Sequence, residues 1–323
     1  MVTFVSSSGP VVVAGGLNID ILSRPFAALR PGTSNPAQTE FAPGGVGRNL
    51  AQNLAQLGYP VRLLGVVGDD PFGQSLLDKA GHSGVDISGV LRRPGPTGSY
   101  LAVLDERGEL HCGLSSMALT AALTPADAAP WLPLLGDARL LIVDANLSPA
   151  LVDFLLEAAW QRGLRVVLEP VSAPKALELR PLLSPRRPLW LLTPDRAELA
   201  ALVGEPTLSD DPDALIGAAR LLRTLSAQWV LLTLGRGGSL LVGEGEPLLT
   251  PARRASVRDV TGAGDAFLAG LIAALEGGLP WPGALAQAHL CAALTTEVIG
   301  AVRADLSTEL LRRESGRAVL AAG

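Results

Sequence analysis

The sequence has few cysteines and lysines, and it has no block of basic residues and no long apolar run. Cys112 and Cys291 are its two cysteines, and their lack of a metal-ligand spacing favours reduced thiols over a disulfide framework. A net charge of −5, with the charges scattered, gives no electrostatic case for a nucleic acid polymer or an anionic membrane. The sequence lacks the roughly 20-residue apolar run that spans a bilayer and the pattern of an N-terminal export signal. These absences predict a cytoplasmic protein whose partner is a small molecule.

The apolar content and the alternation of strand-like and helix-like segments predict the fold class. With 323 residues, of which 48% are apolar, the chain can bury a sizeable core as one large α/β domain, residues 1–323. Short apolar runs, such as VVVAGG from Val11 to Gly16 and RVVLEP from Arg165 to Pro170, alternate with segments of helical length. This alternation predicts a mainly parallel sheet with helices on both faces.

Two segments interrupt the alternation. Residues 21–42 hold prolines and mixed polar residues without a helical period, and residues 97–116 resemble a hairpin that turns at Glu106-Arg107-Gly108. Both are expected to emerge near strand ends, where open α/β sheets bind ligands. We therefore predict that they pair into a small sheet that forms a discontinuous lid.

The stretch DVTGAGDAFLAGL, Asp259 to Leu271, places two glycines and an acid at the start of an apolar helix. It is not a P-loop, which needs Lys-Ser/Thr where this chain has Asp265-Ala266, and Phe267 occupies the position of the third glycine of a dinucleotide fingerprint. Bare backbone N–H groups and the helix dipole favour an anion at this point. Asp265 would then take the proton of an attacking hydroxyl, although an aspartate that merely caps the helix is the alternative.

Three further stretches carry the same kind of polar groups. Gly44, Gly45 and Gly47 precede a helix whose first turn presents Arg48 and Asn49, although glycines before a helix are also typical of a simple turn. TPDRAE, Thr193 to Glu198, follows a buried strand and places Asp195 and Glu198 on one helical face, where they would hold hydrated Mg²⁺ or simply stabilise the helix start. Thr233 and Gly235 end the next strand, either at a nucleotide or in an ordinary turn.

Together, PGGVGRNLAQNLAQLG from Pro43 to Gly58 and DVTGAGDAFLAGL resemble the two signatures of the ribokinase-like, or PfkB, sugar kinase family, and the TPDRAE and TLGRGG segments match in order and separation. The resemblance implies a three-layer αβα sandwich with a small lid, and ATP-dependent phosphorylation of a hydroxymethyl group on a sugar or nucleoside. It implies that Asp265 is the catalytic base and that the anion hole is formed by Gly262, Ala263 and Gly264. The residues implied at the acceptor are Asn18, Asp20, Gly44, Gly45 and Asn49, and those implied at the nucleotide are Asp195, Thr233, Gly235 and Gly238. Glu198 would bind Mg²⁺ through water, and Asp259 would lie beside K⁺. Asp265 does not need a raised pKa for this role, because an ordinary carboxylate with a pKa near 4 is ionised at pH 7.

Within the family the chain is most similar to bacterial pseudouridine kinases, through SYLAVLD, DANLS and VSAPK among other runs. This similarity implies that pseudouridine is phosphorylated on its 5′-hydroxyl, with lid residues Ser34, Asn35, Ser99 and Ser116 as candidate base contacts. The alternatives are a kinase for ribose, fructose or another nucleoside, and a nucleoside-binding regulator without catalysis. Family relatives also imply a homodimer formed through the lid.

Two departures from the family pattern accompany the resemblance. Asp195 stands where an asparagine is usual, and Glu169 stands where an aspartate is usual before Pro-Val-Ser. Lys175, one of two lysines in the chain, is a candidate for contact with the ATP phosphates or an ordinary surface residue.

Overall fold

The computed structural model describes residues 9–321, which form two β-sheets and ten α-helices. The strands are β1 (Val11–Ala14), β2 (Asn18–Pro25), β3 (Ala37–Gly44), β4 (Val61–Gly68), β5 (Asp86–Arg93), β6 (Gly98–Leu104), β7 (Leu110–Ser116), β8 (Leu140–Asp144), β9 (Arg165–Glu169), β10 (Leu189–Leu192), β11 (Ala227–Thr233), β12 (Ser239–Val242) and β13 (Leu248–Thr250). The helices are α1 (Val46–Gln56), α2 (Pro71–His82), α3 (Ala118–Ala122), α4 (Pro149–Gln161), α5 (Ala173–Leu179), α6 (Arg196–Val203), α7 (Pro212–Ser226), α8 (Ala263–Glu276), α9 (Trp281–Thr296) and α10 (Thr308–Ala321).

The central sheet has nine strands in the order β13-β12-β11-β10-β9-β8-β1-β4-β5. The strands from β11 to β5 are parallel, and β12 and β13 add an antiparallel edge. The predicted mainly parallel sheet is therefore confirmed. All parallel strands end at one edge, so the segments that follow β1, β8, β9, β10 and β11 meet there.

Two apolar clusters cover the two faces of the central sheet. One joins the sheet to α1, α2, α8, α9 and α10, and the other joins it to α4, α5, α6 and α7. In α1, Leu50, Leu54 and the following Leu57 are buried on the face that the helical spacing predicts. The three-layer αβα sandwich is confirmed. Among residues 9–321, no helix combines the length and the apolar character that crossing a membrane requires.

The second sheet has four strands in the order β3-β2-β6-β7. It consists of the hairpins β2–β3 and β6–β7, joined by parallel pairing of β2 with β6. The predicted small sheet is confirmed, and its first hairpin is longer than the predicted segment 21–42 because both strands continue to the edge of the central sheet. Cys112 is a free, exposed thiol on β7, and Cys291 is free and buried on α9.

Candidate active site

A buried carboxylate lies at the centre of the carboxyl edge of the sheet. Asp144 ends β8 and is fully buried, and it accepts hydrogen bonds from the backbone N–H of Gly16 and of Asn146, both at 2.8 Å. A Cβ on Gly15 would overlap the Asp144 carboxylate, so the chain after β1 can approach Asp144 this closely only with a glycine at this position. Burial raises the pKa of Asp144. Asp144 begins the DANLS run, and no role was predicted for it from the sequence.

The glycines before α1 bring that helix against the end of β1. Gly45 has φ 96°, and a Cβ there would overlap the carbonyl of Gly16, while a Cβ on Gly44 would overlap the carboxylate of Asp20. The backbone N–H of Arg48 donates to the Gly16 carbonyl at 3.2 Å. These glycines therefore do more than form a turn, because they allow close packing that places the first turn of α1 beside Asp20.

Asn49 and Asp265, which are 216 residues apart in sequence, are joined by a hydrogen bond at the start of α1 and α8. Asn49 Nδ2 donates to Asp265 Oδ2 at 2.6 Å. Burial raises the pKa of Asp265 to about 7, against the lowering effect of this hydrogen bond. The pKa of Asp265 thus lies above the ordinary value near 4, because α8 begins inside the crevice, where the carboxylate loses much of its hydration.

Arg48 supplies a fixed positive charge between two carboxylates. Its guanidinium is buried and donates to the carbonyls of Pro43 at 2.5 Å and Gly44 at 3.3 Å and to Gln52 Oε1 at 2.6 Å. Burial lowers its pKa to about 10, and its charge lowers the pKa values of Asp20 and Asp265. Arg48 was expected to be presented to a ligand, whereas each of its three guanidinium nitrogens donates to the protein itself.

The start of α8 contains one glycine that the fold requires and one that it does not. Gly262 is the N-cap residue with φ 74°, and a Cβ there would overlap the carbonyl of Ala301. A Cβ on Gly264 would meet no atom within 4 Å outside the backbone of α8, whereas the backbone N–H of Ala263 donates to the Val260 carbonyl at 3.2 Å. The exposed helix N-terminus at Gly264 suits an anion.

Asp259 holds the loop that leads into α8. One carboxylate oxygen accepts from the backbone N–H of Thr261 at 2.9 Å and from Thr261 Oγ1 at 2.7 Å, and the other accepts from the backbone N–H of Gly300 at 2.9 Å. Both oxygens thus bind the protein itself. The role of Asp259 beside K⁺ stays a prediction.

Asn18 and Asp20 lie on β2, where the second sheet leaves the central one. Asn18 Nδ2 donates to Asp20 Oδ1 at 2.7 Å, and burial raises the pKa of Asp20. The charge of Asp20 raises the pKa of Asp265, because the two carboxylates lie near each other in one crevice. The structure thus brings the predicted acceptor residues and the predicted base to the same place.

The residues predicted at the nucleotide gather at the ends of β10 and β11. Asp195 is the N-cap of α6 and forms a capping box with Glu198, with hydrogen bonds of 2.8 Å in each direction. The backbone N–H of Thr233 donates to the Pro194 carbonyl at 3.0 Å. Gly235 is exposed with open space at its Cβ position, whereas Gly238 packs against the Thr250 carbonyl, which accounts for that glycine without a ligand.

Glu198 of the capping box and the neighbouring Glu169 have raised pKa values. Glu169 Oε2 accepts from Thr193 Oγ1 at 2.5 Å, and burial and the charge of Glu198 raise its pKa. Burial raises the pKa of Glu198 to about 7. Val171, two residues after Glu169, has φ 68°, a strained conformation for a β-branched residue. Glu169, which stands where an aspartate is usual in the family, thus lies beside a strained residue at the carboxyl edge of the sheet.

The carboxylates suit a hydrated Mg²⁺ better than a direct protein cage. Within residues 9–321 no group of three or more acidic, histidine or cysteine side chains is arranged to hold a metal ion. Mg²⁺ commonly keeps several waters and binds through one or two carboxylates and substrate phosphates, which fits Glu198 and Glu169. The donor set is therefore compatible with the water-mediated role predicted for Glu198.

Lys175 lies closer to the site than the surface alternative implied. It is partly buried in the first turn of α5, and its Nζ donates to Asn146 Oδ1. Burial lowers its pKa, while the charge of Asp144 raises it. The rarity of lysine in this chain was the sequence signal for it.

Comparisons with known proteins agree with this geometry. A family model described as pfkB family carbohydrate kinase matches residues 10–308. The pseudouridine kinase of Escherichia coli (strain K12) is 34% identical over 298 residues, 92% of this chain and 93% of that protein. The uncharacterized sugar kinase YeiI of the same strain is 31% identical, over 88% of this chain and 77% of that protein.

Among solved structures, a carbohydrate kinase from Agrobacterium tumefaciens superposes with a TM-score of 0.80 at 28% identity, over 95% of this chain and 97% of that one. The similarity therefore extends over nearly the whole fold and includes both helix starts that form the crevice. The chain belongs to the pfkB carbohydrate kinase family and is an ATP-dependent phosphotransferase that acts on a hydroxyl group.

Proposed function

We propose that this protein transfers the γ-phosphoryl group of ATP to the 5′-hydroxyl of pseudouridine. The observation that carries the proposal is the hydrogen bond between Asn49 and Asp265, which fixes a carboxylate at the open N-terminus of α8 within one crevice with Asp20. The choice of acceptor is supported by the similarity to the pseudouridine kinase of Escherichia coli.

In this mechanism the ribose lies between the start of α1 and β2. Asn18 and Asp20 bind its secondary hydroxyls, and Asn49 and the backbone at Gly44 and Gly45 line its other side. This orientation directs the 5′-hydroxyl at Asp265. The hydroxyl oxygen forms the new bond to the γ-phosphorus, the bond from that phosphorus to the β–γ bridging oxygen breaks, and Asp265 accepts the hydroxyl proton.

The donor half of the site begins at α8 and continues to the ends of β10 and β11. In the anion hole predicted from Gly262, Ala263 and Gly264, the backbone N–H of Ala263 already donates to the Val260 carbonyl, so the N–H groups of Gly262 and Gly264 stabilise the charge of the transferring group. Asp195, Thr233 and Gly235 line the nucleotide. Mg²⁺, when bound through Glu198, neutralises phosphate charge, and alignment with charge neutralisation supplies most of the acceleration.

The acceptor is tested by a panel of pseudouridine, uridine, ribose and fructose with ATP and Mg²⁺, compared by kcat/KM. The proposal expects ADP release with pseudouridine as the best acceptor, and a product phosphorylated at the 5′ position by phosphorus NMR. A higher kcat/KM for a free sugar would favour the alternative of a sugar kinase, which the similarity to YeiI supports. Calorimetric binding of pseudouridine without ADP formation would instead identify a nucleoside-binding regulator.

We further propose that the second sheet closes as a lid over the acceptor and that two copies pair through it. All seven residues of β7 are exposed, including Leu110 and Leu114 at 57% and 60%. An unpaired edge strand with apolar side chains favours association with another chain.

A further inference from the structure

The register of the second sheet places an aromatic side chain beside the proposed acceptor residues. Asp20 on β2 pairs with Tyr100 on β6 and with Ala42 on β3. Directly paired residues project from the same face of a sheet, so Tyr100 lies on the face that carries Asn18 and Asp20. The backbones of Asp20 and Tyr100 are separated by the spacing between neighbouring strands, about 4.8 Å.

The ring of Tyr100 lies along this face. A Cβ on Gly113, in the adjacent strand β7, would overlap the Tyr100 hydroxyl and lie 3.0 Å from Cζ. The phenol therefore extends over a position that has no side chain. The residue is 38% exposed, so part of the aromatic surface remains available to a ligand in the crevice.

The candidate base contact Ser99 has a different position. It pairs with Ile19, which belongs to the apolar cluster under the sheet, and so it projects from the opposite face. Among the side chains of β6, Tyr100 is thus better placed than Ser99 to meet a group attached to the bound ribose.

We propose that Tyr100 is a specificity-determining residue that packs its ring against the nucleobase of the acceptor. This inference rests on the proposed nucleoside kinase activity. A ribose held by Asp20 and directed at Asp265 carries its base at C1′, next to the hydroxyl that Asp20 binds, and Tyr100 lies one strand away. Base–aromatic stacking tolerates different bases but gives nothing to a free sugar, so the ring favours nucleosides over ribose.

The test compares kcat/KM for pseudouridine and for ribose in wild type, Tyr100→Ala and Tyr100→Phe. Alanine substitution of a stacking aromatic costs roughly 5- to 150-fold. We expect Tyr100→Ala to lose roughly that factor for pseudouridine, mainly through KM, and to keep ribose turnover within about threefold. Tyr100→Phe should retain the preference for the nucleoside because it keeps the ring.

Phe41→Ala is the matched control. Phe41 is 59% exposed, pairs with Ile21 on the opposite face and stacks on Phe72 with ring centroids 5.8 Å apart. Its removal should leave kcat/KM unchanged both for pseudouridine and for ribose. Ribose turnover also reports whether each variant folds.

The outcomes separate the inference from the proposed function. Equal losses for pseudouridine and ribose in Tyr100→Ala, or no loss for either, would overturn the role of Tyr100 while leaving the kinase intact. A wild-type enzyme that phosphorylates ribose but no nucleoside would overturn both.

Discussion

Asp265 combines two properties that conflict, a buried environment and a need for negative charge. Burial raises its pKa from 3.8 to about 7, and nearby Asp144 and Asp20 add to the effect, while Asn49 and Arg48 oppose it. Because the folded state binds this proton more tightly than the unfolded state, ionisation of Asp265 lowers the free energy of unfolding as the pH rises from 3.8 through 7. A residue with such a cost and an opposing hydrogen bond is typical of a functional position.

Replacing Asp265 with asparagine should separate activity from stability. Without a proton acceptor, turnover should fall by several orders of magnitude, while nucleoside binding is largely kept. Because the neutral amide avoids the cost of burying a charge, the free energy of unfolding at pH 8 should increase by about 1–4 kcal/mol. Urea denaturation and initial rates check both expectations. Near-wild-type kcat would contradict the assignment of Asp265 as the base.

The pH dependence should report the same carboxylate. Since the ionised form accepts the proton, kcat/KM for the acceptor should fall as the pH decreases below about 7, approaching tenfold per pH unit. The hydrogen bond from Asn49 lowers the pKa of Asp265, so Asn49→Ala should shift this acid limb to higher pH. A limb that stays in place in the variant would show that another group titrates.

At the scale of elements, the start of α8 contains two glycines that can be compared, the N-cap residue Gly262 and Gly264 in the first turn. Gly262→Ala introduces a Cβ at φ 74° that overlaps the Ala301 carbonyl, so the free energy of unfolding should fall by roughly 2–4 kcal/mol. Gly264→Ala adds a Cβ in open space within the helix, so folding should be unchanged or slightly improved. Its effect should instead be on phosphoryl transfer.

In Gly264→Ala the added methyl group would keep an anion away from the backbone N–H groups, so we expect kcat to fall about 10- to 1000-fold, the range for loss of one donor to a developing charge. Thermal melting and single-turnover rates on the two variants distinguish the roles. Loss of stability in Gly264→Ala with normal turnover would contradict an anion site at this turn.

At the scale of the whole molecule, the exposed strand β7 predicts the oligomeric state. If two copies pair through the second sheet, Leu114→Asp should place a charge in the interface and yield a monomer by light scattering, with unchanged far-UV circular dichroism. Leu249→Asp is a suitable control, since Leu249 is exposed on β13 at the far edge of the central sheet. An identical mass for wild type and both variants would refute pairing through β7.

Much of the fold could be predicted because it follows from local patterns. The apolar strands β1 and β9 and the starts of the helices α1, α6 and α8 coincide with the segments predicted for them. No element was predicted for α7, α9 or β5, although α7 begins at a capping aspartate, Asp211, and buries one apolar face. The hairpin of β6 and β7 was predicted, whereas the strands β2 and β3 were harder to place because their exposed residues show no clear alternation.

The sequence by itself determined the αβα class, the two glycine-rich helix starts and the presence of an acid in each polar segment, because these depend on neighbouring residues. Only the tertiary structure decided that Asn49 binds Asp265 across 216 residues, that Asp144 is buried beneath the crevice, and that Asp20 shares a sheet face with Tyr100. Contacts between distant segments and the loss of hydration around a carboxylate arise from packing, which no local pattern encodes.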